Sequence, residues 1–131
     1  MDQQNTQPAK SDQKKVLCIE DEHFIGELYS RALVKAGYEV ALTFDGLEGY
    51  EAAKTDQFDI ILLDIMVPNM KGTDILTKLR QEMPQLKAKI IITTNLDQGD
   101  EGRAQFEKLA DGYLIKADLT PKEVVAFLEK L

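Results

Sequence analysis

Short apolar runs along the chain end in residues suited to acid and phosphate chemistry. VLCI (16–19) is followed by Glu20, Asp21 and Glu22, IILL (60–63) by Asp64, IIIT (90–93) by Thr94 and Asn95, and YLI (113–115) by Lys116. Carboxylates held together repel, which is costly unless a proton or a cation neutralises them. A donor set of oxygens without His or Cys suits Mg²⁺, which takes one or two carboxylates, keeps several waters and adds oxygens from a phosphate. A carboxylate can itself be the nucleophile, forming an aspartyl-phosphate, if a metal and a nearby cation offset the charge developing on the phosphoryl oxygens. Lys116 is the candidate for that cation and Thr94 for a hydrogen bond.

These residues meet only if the apolar runs lie side by side as parallel strands, because ligands of open α/β sheets bind outside the carboxyl ends of the strands. The patterning predicts strands at 16–19, 39–42, 60–63, 90–93 and 113–115. They alternate with helices over 24–36, 46–54, 73–82, about 99–109 and 121–131. Strict alternation indicates an α/β domain with a parallel sheet. Gly37 stops the first helix, and Asp45 with Glu48 resembles a capping box. Thr120-Pro121-Lys122-Glu123 repeats that device, with Pro where its missing N–H costs nothing. IILL and IIIT are continuously apolar, as in strands covered on both faces, and belong at the sheet centre. Residues 1–13 are polar and without period, which predicts a mobile tail, and 14–131 forms one domain with no output domain expected beyond it.

Composition removes several classes of function. Of 131 residues, 16 are Lys or Arg and 23 Asp or Glu, a formal charge of −7, which argues against a broad phosphate-contacting face for nucleic acid. The single Cys18 and single His23 exclude an intramolecular disulfide and any paired-imidazole site. Cys18 alternates within an apolar strand and reads as core; His23 fits a surface or capping residue better than a ligand. No apolar run approaches the roughly 18 residues of a membrane span, and no signal-like segment opens the chain, so a cytoplasmic setting is expected.

In order along the chain, VLCIEDE, IILLDIMVPNMKG, IIITTN and YLIK resemble the motifs of the two-component response regulator receiver domain of the chemotaxis type. Asp21 and Asp64 lie 43 residues apart, Asp64 and Thr94 30, and Thr94 and Lys116 22, and the likeness covers about 14–131. It implies a doubly wound (βα)5, flavodoxin-like three-layer sandwich with strand order 2-1-3-4-5. It further implies that Asp64 accepts a phosphoryl group from a phosphohistidine of a sensor histidine kinase or phosphotransfer protein. Asp21 directly and Glu20 largely through water would hold Mg²⁺, together with Asp64 and the backbone carbonyl of Met66. Thr94 matches the switch hydroxyl, Lys116 the lysine that pairs with the phosphoryl group, and Tyr113 the aromatic that changes rotamer with Thr94. Signalling would then pass to an effector protein through the fourth helix, fifth strand and fifth helix, without direct nucleic-acid or membrane contact and with a phosphorylation-dependent homodimer open. The implied catalysis extends no further than self-phosphorylation and self-dephosphorylation.

The sequence departs from the family pattern at two places. Ala117 stands where Pro usually follows the lysine, which predicts either a trans bond with a shifted loop or a strained exception. Asn95 stands where a small residue is common, and either crowds the phosphoryl pocket or hydrogen-bonds into it. If these departures disable switching, the alternative is an unphosphorylated receiver-like interaction module. A phosphohydrolase or flavin binder on the same fold is a third reading, weakened by the lack of a Gly-rich loop after the first strand. Glu20-Asp21-Glu22 also suits the start of the first helix, where acids favour the positive end of the dipole.

Overall fold

A computed structural model describes residues 13–95, 104 and 107–131. The expected tail, but for Gln13, and most of the expected helix over about 99–109 lie outside these residues. Strands β1 (Lys15–Ile19), β2 (Glu39–Thr43), β3 (Ile60–Asp64), β4 (Lys89–Thr94) and β5 (Gly112–Ile115) form one parallel sheet in the order β2-β1-β3-β4-β5. The helices described around it are α1 (His23–Lys35), α2 (Gly46–Ala53), α3 (Gly72–Glu82) and, after a 3-10 turn at Lys116–Asp118, α4 (Pro121–Glu129).

Side-chain alternation along the strands sorts the helices into two layers. Leu17 and Ile19 of β1 pack with Tyr50 of α2 and with Ile75 and Leu79 of α3. Val16 and Cys18, on the other face, pack with Tyr29 and Leu33 of α1 and with Val124 and Leu128 of α4. Both faces of β3 are therefore covered and all its residues are buried, which is why its sequence shows no polar alternation. Edge strand β2 is only half-buried along its length, so its pattern is weak, and it runs one residue past the expected span, to Thr43.

Local chemistry sets the element boundaries. Asp45 caps α2 by accepting from the Glu48 amide at 3.0 Å. At α4 both halves of the capping box form between Thr120 and Glu123. Gly37 follows α1 at φ +104°, a conformation that favours glycine. Glu22 stands at the N-cap of α1 but its side chain makes no cap bond there. It turns instead toward the carboxyl edge of the sheet.

Candidate functional site

Strand register brings the polar strand ends together. Ile19 pairs with Leu63, so Glu20 and Asp64 follow each other in adjacent strands at the same level. Asp64 pairs with Thr93, and Thr94 pairs with Ile115, the residue before Lys116. Glu20, Asp64, Thr94 and Lys116 are all buried. Apolar neighbours in β1, β3, β4 and β5 drive the strands into the core, and the polar residues at their carboxyl ends are carried in with them.

Lys116 Nζ donates to Glu20 Oε1 at 2.7 Å and to Asp64 Oδ2 at 3.1 Å. The second oxygens are also occupied, Asp64 Oδ1 by the Met66 amide and Glu20 Oε2 by the Glu22 amide, each at 3.1 Å. Asp21 is exposed, yet one carboxylate oxygen from each of Glu20, Asp21 and Asp64 lies within 4.8 Å of the others. Glu22 adds a fourth carboxylate, 4.0 Å from Lys116 Nζ. One ammonium thus faces more negative charge than it can balance. Burial pushes the Glu20 carboxyl up to about 7, and the Asp64 charge adds to this against the pull of Lys116. Burial works against the Lys116 charge, but Glu20 and Asp64 together outweigh it and raise its pKa. The unbalanced cluster of hard oxygens fits a divalent cation such as Mg²⁺.

The remaining sequence candidates fall around this core. Thr94 is 2 % exposed at the end of β4. Tyr113, half-buried in β5, packs against the cluster formed with α2 and α3. Met66 exposes its side chain while its amide faces Asp64. Asn95 does not fill the pocket: it is exposed, and its Nδ2 donates to Glu22 Oε1 at 3.3 Å. No described peptide bond is cis, and Ala117 sits within the 3-10 turn that starts at Lys116, so the lysine reaches the carboxylates without a proline after it. His23 stacks on the Phe44 ring, with the ring centroids 3.7 Å apart. Cys18 is buried, and burial pushes its thiol up to about 12.

Sequence reasoning paired Lys116 with a phosphoryl group and missed its short contact to Glu20; only the register of separate strands reveals it. It read Asp45 as a cap alone and passed over Asn69, whose Nδ2 donates to Asp45 Oδ2. A Pro-Asn pair in a loop was the available signal for a constrained turn there.

Residues 16–129 match the family model of the response regulator receiver domain. The transcriptional regulatory protein CusR of Escherichia coli (strain K12) is 38% identical over 102 residues, 78% of this chain and 44% of CusR. The alkaline phosphatase synthesis transcriptional regulatory protein PhoP of Bacillus subtilis is 34% identical over 113 residues, 86% of this chain and 46% of PhoP. The chain thus spans about half the length of the curated relatives it matches. Among solved structures, the chemotaxis response regulator CheY4 of Vibrio cholerae superposes with a TM-score of 0.80 at 28% identity, covering 90% of this chain and 98% of that one. The BeF3-activated N-terminal receiver domain of Klebsiella pneumoniae RstA gives 0.77 at 27% identity, covering 89% and 97%.

Proposed function

The chain belongs to the response regulator receiver domain family, and from that premise we propose that Asp64 is its phosphoryl acceptor in a two-component phosphorelay. The observation that carries this reading is the contact of Lys116 Nζ with Asp64 Oδ2 inside an under-neutralised carboxylate cluster at the carboxyl edge of the sheet. An Asp64 oxygen attacks the phosphorus of a phosphohistidine, the P–N bond breaks, and its electron pair returns to the imidazole, which takes up a proton. Lys116 lies beside the oxygen that gains the phosphoryl group and shifts its charge from Glu20 and Asp64 toward the new anion. Held by Glu20, Asp21, Asp64 and the Met66 carbonyl, Mg²⁺ would offset negative charge on the phosphoryl oxygens. Thr94 contributes its hydroxyl to the phosphoryl group, and Tyr113 follows it, the pair acting as a two-state element that a local charge biases.

The phosphodonor is a sensor kinase or phosphotransfer protein. The output surface includes β5 and α4. The receiver unit spans 14–131, with 1–13 as an appended tail in a cytoplasmic protein, and the reading holds with or without an effector on the same chain. Incubation with acetyl phosphate and Mg²⁺, followed by intact-mass measurement, tests it. The expected result is a single phosphoryl adduct that requires Mg²⁺ and disappears in Asp64→Asn. An adduct of equal yield in Asp64→Asn would overturn the assignment.

A further inference from the structure

The loop that carries Met66 is held partly from outside the pocket. Its near half is anchored by the buried side chains of Ile65 and Val67. Pro68 and Asn69 are exposed, and only half-buried Met70 packs against the core cluster, so the far half has little core packing of its own. That half rests on α2 instead. The Gly46 amide donates to the Pro68 carbonyl at 2.9 Å, and a Cβ at Gly46 would come within 1.9 Å of the Met70 carbonyl oxygen, so only glycine permits this approach. Asn69 adopts φ +70°, and its side-chain amide donates to Asp45 Oδ2 while Asp45 Oδ1 caps α2. One half-buried carboxylate therefore fixes both the helix start and the loop.

The same helix bears on the other side of the cation site. Gly49 lies so close to Ile19 that a Cβ there would meet its side chain at 2.6 Å, and Ile19 directly precedes Glu20 in the chain. Thus α2 is a common reference for the strand end that presents Glu20 and for the loop that presents Met66. We propose that Asp45 and Asn69 are positioning residues that set the divalent-cation affinity of the site by fixing the Met66 loop to α2. This inference rests on the metal reading above. Partners behind the direct ligands commonly change metal affinity by an order of magnitude without touching the ion.

Two substitutions separate positioning from simple stability. Asn69→Gly keeps a residue suited to positive φ and removes only the side-chain bond. Asp45→Ser retains a helix-capping oxygen but is too short to hold Asn69. The probe is Mg²⁺ alone, titrated while the Met66 and Glu20 amide resonances are followed by NMR, with thermal midpoints recorded separately in chelator. Both variants are expected to raise the Mg²⁺ midpoint on the order of tenfold, and the metal-free Met66 resonance moves in each. Variants that titrate as wild type does, whatever their thermal midpoints, would overturn the proposal. A wild-type protein whose Met66 and Glu20 amides ignore Mg²⁺ would instead overturn the metal reading itself.

Discussion

The two ends of the sheet use the same residue types to opposite effect. At the amino end, acids are matched to donors. Asp59 accepts from the Lys15 amide at 2.8 Å and lies 3.9 Å from Lys87 Nζ. Asp111 Oδ2 accepts both the Ile90 amide at 2.8 Å and Arg80 Nη2 at 3.0 Å, and Arg80 Nε also holds the Leu109 carbonyl. These contacts lock strand starts together and sit near the surface, where charge is cheap. At the carboxyl end, Glu20 and Asp64 are buried and share Lys116 with Asp21 and Glu22 nearby. Buried charge without full compensation is destabilising, so this end trades stability for a site that favours a cation. The difference separates acids that fasten the fold from acids held for chemistry.

The largest expected effect that sharpens this contrast is stabilisation by Mg²⁺, about 2.7 kcal/mol at a hundredfold excess over the dissociation constant if the ion binds only the folded state. Thermal melts with and without Mg²⁺ measure it, and Asp64→Asn should reduce the gain. Next, Asp111→Ala removes acceptors for a backbone amide and for Arg80 and should cost about 1–3 kcal/mol by denaturant unfolding, with Mg²⁺ affinity unchanged. A loss of Mg²⁺ affinity in that variant would break the comparison.

A gentler effect concerns pH in metal-free buffer. The Glu20 carboxyl rises from 4.5 to about 7 on burial, so the folded state holds this proton more tightly than the unfolded one. Its contribution to stability is greatest at low pH and is lost as pH rises from about 4.5 toward 7. Glu20→Gln should flatten that part of the stability profile. The smallest expected signal is at Cys18, whose thiol is 1 % exposed and pushed up to about 12. At about pH 8 a thiol reagent should label it only at the rate of unfolding.

Much of the fold was legible from pattern. Continuous apolar runs identified β1, β3 and β4, and Thr120 with Glu123 marked the start of α4. Strand β2 was faint because an edge strand buries less of each residue. The site residues were legible as types following apolar runs, since a parallel sheet must gather strand ends at one edge. Their mutual contacts were not. Glu20 and Lys116 are separated by 96 positions, and no local rule specifies that they form the shortest ion pair at the site. Asn95 read either as crowding the pocket or as hydrogen-bonding into it, and which of these it does was not legible: it is exposed and bonds Glu22 at the site edge.

The chain by itself determined the alternation of strands and helices, the caps and the identity of the polar residue ending each apolar run, because these depend on neighbours within a few positions. Only the tertiary structure decided which carboxylate shares the lysine, that the Glu22 side chain faces the site edge while its backbone stays at the N-cap of α1, and that α2 holds the Met66 loop through Asp45 and Asn69. Those outcomes depend on strand register and on backbone approaches such as Gly46 against Met70, where packing of the whole domain fixes distances that sequence spacing leaves free.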